Sequence, residues 1–395
     1  MVVIKLKVET NSSLEGLKIK FPNDRIVEDI KMLSDKGATC TTYTGKIVST
    51  DAKGQQHFET CLIKEFAPSS IARLNEVINE DEFYVSRVLP AQREKFRKRY
   101  DTFIKTMDKI HWIIKDAIEK DRTLQNYIVN VPDASNRVFE CEESKGQYKG
   151  LMLFPYESSD ADEKIKSLSI PQRLTMLEML CKVVEKFNQQ NIILVDLKPD
   201  NFIYYNDGIN NYMRLFDFDS AVIIDEDHSS DAYIVNGTPF FSSPMVLGTT
   251  CEIPDATVDT YSIASMLLYF ICINVFEERK IDMKNFGPMG LEEMLSNETF
   301  EYLKDCYSSV ENKDNGGFTL GFWNKFVSII YKYRDQSMLN RLPKTEKAVV
   351  SLGDQIKVLR EIYENKGVHP EVMLNNALRK TFNDKIESEL LCDVE

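Results

Sequence analysis

The chain is 395 residues long, and 49 basic against 62 acidic residues leave a formal charge of −13 with its four His counted neutral. That balance argues against an unselective grip on nucleic acid or an anionic membrane, and 43 % apolar with 10 % aromatic residues rules out wholesale disorder. At about 150 residues per folding unit, the length suits two or three of them. The eight Cys form no CxxC pair and accompany no His at ligand spacing, so they fit a reduced intracellular compartment, as buried apolar side chains, better than a disulfide framework or a zinc site.

Met1 to Glu9 alternates apolar residues with Lys and reads as a strand, not an export signal. Up to about Pro68, alternating or β-branched runs at Val2–Val8, Cys40–Val48 and His57–Phe66 predict short strands separated by Gly- or Asp-rich turns. From Pro90 the period changes: Phe96, Tyr100, Phe103, Met107, Ile110, Ile114 and Ala117 recur at steps of four and three, with no Gly or Pro from Ala91 to Asp121. This predicts one long helix with Pro90 in its first turn, laid against its own sheet in preference to a coiled-coil partner. Arg137–Glu142 and Tyr148–Tyr156 predict two further strands around the turn Ser144–Gly146. After the polar stretch Ser158–Lys166 helices dominate, beginning with Pro171–Gln189, where Leu174, Leu177, Leu180, Val184 and Phe187 share a face. The most apolar run, Tyr261–Phe276, is bracketed by Asp259 and Glu277, falls short of a bilayer span and predicts a buried core helix. Lys280–Gly317 reads as loop-rich, and the tail after Gly367 as helical and acidic at its end. Strands first and helices later predict an α+β fold with a small sheet unit and a larger helical one, in a soluble, cytoplasmic chain.

The sharpest constellation is Val195-Asp196-Leu197-Lys198-Pro199-Asp200-Asn201, followed by Leu215-Phe216-Asp217-Phe218-Asp219. Strand-like runs at Asn191–Val195 and Phe202–Tyr205 flank the first, so both polar clusters fall on loops. Phosphoryl transfer asks a protein for an acid at the nucleophile, cations on the phosphates and oxygen ligands for Mg²⁺. Asp196 can accept a hydroxyl proton, Lys198 can neutralise charge on the transferred phosphoryl group, and Asn201 with Asp217 can hold the metal. Taken singly, DxKPxN also suits a surface turn. Asp217 between two Phe is harder to dismiss, because an acid flanked by large apolar residues is partly buried and needs a partner or a metal.

DLKPDN, with DFD beginning sixteen residues beyond its Asn, resembles the catalytic and metal loops of the protein kinase family. The resemblance extends from about Ile30 to Arg360. Cys61-Leu62-Ile63-Lys64 looks like the family's strand-borne Lys motif, which implies Lys64 on the α- and β-phosphates of ATP, although a Lys there also suits a soluble edge strand. Gly237-Thr238-Pro239 with Ser243-Pro244 is similar to the segment closing the activation loop. Asp259-Thr260-Tyr261-Ser262-Ile263 resembles the start of the central buried helix, whose Asp hydrogen-bonds the catalytic-loop backbone, and Arg341 lies where the family keeps a late Arg. The implied architecture is two-lobed: an extension over 1–28, a β-rich N-lobe with one long helix over 29–156, a mainly helical C-lobe over 157–366 and a helical tail over 367–395. Lys198 two residues after Asp196, with Thr238 bridging both, implies a serine or threonine acceptor on a protein substrate. ATP and Mg²⁺ are the implied cofactors; no nucleic acid or membrane partner is expected.

The sequence departs from the family at several points. Leu194 and Val195 stand in place of the usual His-Arg, so a phosphorylated activation loop loses its Arg partner; Ala at Ser229, Ser230, Ser242 or Ser243 is therefore expected to leave activity within a few-fold. Together with DFD for DFG, this wording resembles the bacterial branch of the eukaryotic-type kinases. Asp219 replaces a Gly, and Ser34–Tyr43 keeps one nucleotide-loop glycine, Gly37. Met245 replaces the Glu that pairs with the late Arg, leaving Arg341 with another partner or exposed. The acid that pairs with Lys64 stays open among Glu80, Glu94, Asp101 and Asp108. Two other readings remain: a pseudokinase acting as a nucleotide-binding scaffold, and a small-molecule kinase.

Overall fold

The computed structural model describes residues 15–16, 18–20, 26–34, 41–51, 53–65, 109–110, 112–128, 138–141, 146–155, 161–206, 211–218, 220–224, 237–247, 254–308 and 317–365. Alternation sets its first layer. In β3 (Thr41–Thr50), Tyr43, Gly45 and Ile47 point inward and are buried, with more exposed residues between them. This strand pairs antiparallel with β4 (Gln56–Glu65) from Thr41↔Glu65 to Thr50↔Gln56. Together with β1 (Ile19–Lys20), β2 (Ile26–Ser34), β5 (Val138–Cys141) and β6 (Gly146–Pro155) they form a closed barrel in the order β1-β2-β3-β4-β6-β5, sealed by β1 against β5. Closure leaves no free edge to template aggregation. β2 starts at Ile26, inside the span assigned to an N-terminal extension, and its register with β3 shifts beside Asp29, whose φ is 54°. A side chain at Gly45 would lie 2.6 Å from Val27 Cγ1, so the barrel interior requires glycine there.

A helix, α1, occupies 112–120, and Ile110, Ile114 and Ala117 are buried as their seam predicts. Residues 109–110 are helical as well; residue 111 and the expected helix before 109 lie outside the described residues, as do Val2–Val8 and the tail after Gly367. Beyond α1, a 3₁₀ turn (Arg122–Asn126) leads to Ile128, which bridges in parallel to Leu215, while Leu215 N–H donates to the Tyr127 carbonyl at 3.0 Å. The strand that delivers Asp217 is thereby held from two sides.

The helical part begins with α2 (Ala161–Ser167) and α3 (Ile170–Asn188). Ser169 and Gln172 close a capping box on α3. The short strands β7 (Ile192–Ile193), β8 (Phe202–Asn206), β9 (Asn211–Leu215) and β10 (Val222–Ile223) pair as β7 with β10 and β8 with β9. The centre is α4 (Ala256–Glu278), capped by Asp255. It is long and apolar enough to cross a membrane by length and composition, more so than the run read from sequence, yet its apolar stretch is wholly buried in this protein. A helix that is apolar all round belongs in a core, and α3, α6 (Asn297–Ser308), α7 (Leu320–Arg334) and α8 (Lys347–Glu364) pack around it. Leu267, Phe270 and Ile271 are completely buried there, each stabilising the fold by roughly 1.5–3 kcal/mol.

The stretch Lys280–Gly317 is more helical than expected. α5 (Pro288–Met294) and α6 occupy much of it. Pro288 opens a helix instead of breaking one, and Phe300, Leu303 and Tyr307 form a buried stripe hidden in sequence among Asn, Glu and Asp.

Candidate active site

The loop between β7 and β8 turns on two features of the backbone. Val195 has φ 70°, a left-handed state that β-branched residues avoid, and Pro199–Asn201 forms a single 3₁₀ turn. Strain of this kind costs about 1–3 kcal/mol and persists only where its surroundings hold it. Here the holder is Asp259, fully buried in the first turn of α4. Its carboxylate accepts the Val195 N–H at 2.9 Å, the Leu194 N–H at 3.1 Å and Asn188 Nδ2 at 2.9 Å. Burial pushes the Asp259 carboxyl up to about 6, against the pull of those hydrogen bonds. This is the contact the family resemblance implies for that Asp. Asn188, which also donates to the Ile192 carbonyl at 3.0 Å, carried no distinguishing mark in the sequence.

With the loop fixed, three side chains close a triangle. Lys198 Nζ donates to Asp196 Oδ2 at 2.8 Å and to Thr238 Oγ1 at 2.9 Å, and the Thr238 hydroxyl donates to Asp196 Oδ1 at 2.9 Å. Asn201, buried, donates Nδ2 to the Asp196 carbonyl at 2.6 Å. That bond commits the nitrogen, so the amide oxygen is the end that can face a hard cation. The Asn201 carbonyl accepts the Phe216 N–H at 3.2 Å, which fixes the residue before Asp217 beside the same loop. Asp217 is half-buried, and Phe218 behind it is buried against Phe187 with ring centroids 5.7 Å apart. Among the described residues, no group of three or more His, Cys, Asp or Glu could hold a metal alone. One amide and one carboxylate fit Mg²⁺, which keeps waters and phosphate oxygens in its shell.

Asp196, Lys198 and Asn201 therefore come together, with Thr238 and the start of the Asp217 loop. Lys64 sits on β4 opposite Thr42 and Leu151 in the pairing register. Gly37, Asp219, Ser229, Ser230 and the acids Glu80, Glu94, Asp101 and Asp108 lie outside the described residues.

Two sequence readings gain detail from the fold. Ser242 and Ser243, two of the serines whose replacement by Ala is expected to leave activity within a few-fold, are buried. Ser242 Oγ accepts the Thr238 N–H at 2.8 Å, and Ser243 Oγ accepts the Met245 N–H at 3.3 Å, so alanine at Ser242 removes part of the frame around Thr238. Arg341 is exposed, one of the two outcomes expected once Met245 takes the place of its Glu partner, and an Arg that does reach the Thr238 turn is Arg334, buried at the end of α7. Its position was readable in one respect: it falls in phase with Phe326 and Ile330, a charged residue on an apolar stripe.

Residues 128–313, a little under half the chain, match the family model described as protein kinase domain. The chain is 31 % identical over 119 residues to a cGMP-dependent protein kinase of Plasmodium berghei, covering 29 % of this chain and 12 % of that protein. It is 30 % identical over 117 residues to a cGMP-dependent protein kinase of Toxoplasma gondii, covering 29 % of this chain and 11 % of that protein. A calcium/calmodulin-dependent protein kinase of Emericella nidulans is 21 % identical over 244 residues, 58 % of this chain and 55 % of that protein. The chain thus spans from about a tenth to about half the length of these curated relatives. Over residues 128–313 the chain is similar to the protein kinase domain, and the curated relatives it resembles are named protein kinases. Lys64 and Gly37 precede the matched span.

Proposed function

We propose that the protein is a two-lobed, cytoplasmic serine/threonine protein kinase that transfers the γ-phosphoryl group of ATP to a hydroxyl of a protein substrate. The observation that carries this reading is the triangle of Asp196, Lys198 and Thr238. Asp196 acts as the base: one lone pair on each oxygen is used within the triangle, and the others remain to accept a substrate hydroxyl proton. Lys198 is held where it can neutralise charge on the transferred phosphoryl group. The Asn201 amide oxygen and Asp217 would hold Mg²⁺, which when bound offsets charge on the phosphates. Lys64 and Gly37 belong to the nucleotide by resemblance alone. Lys198 and Thr238, rather than a later Arg, favour a serine or threonine acceptor.

Incubation with γ-labelled ATP and Mg²⁺ tests the reading. Asp196→Ala and Asp217→Ala should each lower transfer on the order of 10²-fold or more. Native protein no more active than the variants would favour the scaffold reading, and label appearing in a metabolite but in no protein would favour a small-molecule kinase.

A further inference from the structure

We propose that Arg334 is a positioning residue for the transfer site, acting through the Phe240 carbonyl on the turn that carries Thr238. The proposal rests on the kinase reading above and deepens it. Arg334 is buried, yet among the described residues no carboxylate lies within ion-pair distance of it. An unpaired buried charge is costly, and an apolar side chain could fill the same space without that cost. What the guanidinium does that an apolar chain cannot is donate hydrogen bonds. Its Nη2 donates to the Phe240 carbonyl at 3.0 Å and its Nε to Ser265 Oγ at 2.9 Å. Three aromatic faces surround it, with centroids at 4.4 Å for Phe240, 5.0 Å for Phe286 and 5.5 Å for Tyr261. Ring quadrupoles offset part of the lost hydration, and Arg suits such stacking better than Lys.

The gripped carbonyl lies two residues from the active-site threonine. Phe241 and Ser242 N–H groups both donate to the Thr238 carbonyl, at 2.9 and 2.8 Å, and Ser242 returns its hydroxyl to the Thr238 N–H. A side chain at Gly237 would lie 2.5 Å from Ser242 Oγ, so the turn has little slack. A shift of the Phe240 carbonyl therefore displaces Thr238, and with it the hydroxyl that orients Asp196 and Lys198. Arg173 provides a contrast. It is similarly buried and also binds carbonyls, those of Leu168, Phe270 and Lys166, but has no hydrogen bond to the Thr238 turn.

The test compares kcat for protein phosphorylation and the KM for ATP in the native chain, R334M, R334K and R173M, at a temperature where all are folded. R334M should lose about tenfold in kcat with KM little changed, and R334K should recover part of the loss, because an ammonium can still reach one carbonyl. R173M should lower thermal stability and keep its kcat. A native kcat in R334M, or an equal kcat loss in R173M, overturns the proposal. If R334M does not fold, R334K and Ser265→Ala must each lower kcat, and no loss in both overturns it. If the native chain transfers no phosphate, the kinase reading fails. Amide hydrogen exchange at Phe241 and Ser242 then decides the anchoring: faster in R334M than in R173M supports it, and equal rates refute it.

Discussion

Two buried charges brace the transfer site, and they do so by different chemistry. Asp259 holds the Asp196 loop with an anion satisfied by backbone N–H groups; Arg334 holds the Thr238 turn with a cation set among ring faces, one carbonyl and one hydroxyl. Both act beside α4, the most deeply buried helix described. The anion side carries backbone strain at Val195, while no residue from Gly237 to Leu247 has positive φ. The contrast teaches that one rigid helix can position two loops without matching charges, provided each buried charge finds donors or acceptors that water would otherwise supply.

The most severe way to break this comparison is Asp259→Ala. It leaves the Leu194 and Val195 N–H groups without their acceptor, removes one of the two acceptors of Asn188 and frees Val195 to leave its left-handed state, so unfolding in urea should show a loss of about 3–5 kcal/mol. The next separates the two braces by pH. The Asp259 carboxyl titrates near 6 in the folded chain, above its unfolded value, so the folded state holds an extra proton between about pH 4 and pH 6. Its contribution to stability is full below that window and is lost as pH rises through it. Relative to Asp259→Asn, the native chain should lose on the order of 2–3 kcal/mol between pH 4 and pH 7, a trend that R334M should leave intact. A flat difference between native and Asp259→Asn across that range would place the carboxyl at an ordinary value. The smallest effect sharpens the cation side: Ser242→Ala removes one buried acceptor and should cost about 1 kcal/mol in urea unfolding.

Much of the architecture was legible because it rests on local periodicity. The strands around Tyr43 and Ile63, the face of α3 and the core role of the helix around Leu268 follow from spacing alone, as do the polar loops at Asp196 and Asp217. The helices over Pro288–Met294 and Asn297–Ser308 were not, because three buried side chains spread over eight residues are easily lost among charged neighbours. The burial of Ser242 and Ser243 was equally unreadable: a hydroxyl looks the same in sequence whether it faces solvent or closes a turn.

The sequence by itself determined which chemical groups are present and in what order, because Asp196, Lys198, Asn201 and Asp217 lie close enough along the chain for local loops to gather them. Tertiary structure decided which distant residues restrain those loops. Asp259 lies 64 residues beyond Val195 and Arg334 lies 94 beyond Phe240. The Asp259 contact was reachable only through the family resemblance, because local spacing carries no record of proximity over such a distance; only packing about a shared helix brings such groups within hydrogen-bonding distance, and it is packing that brings Arg334 to the Phe240 carbonyl.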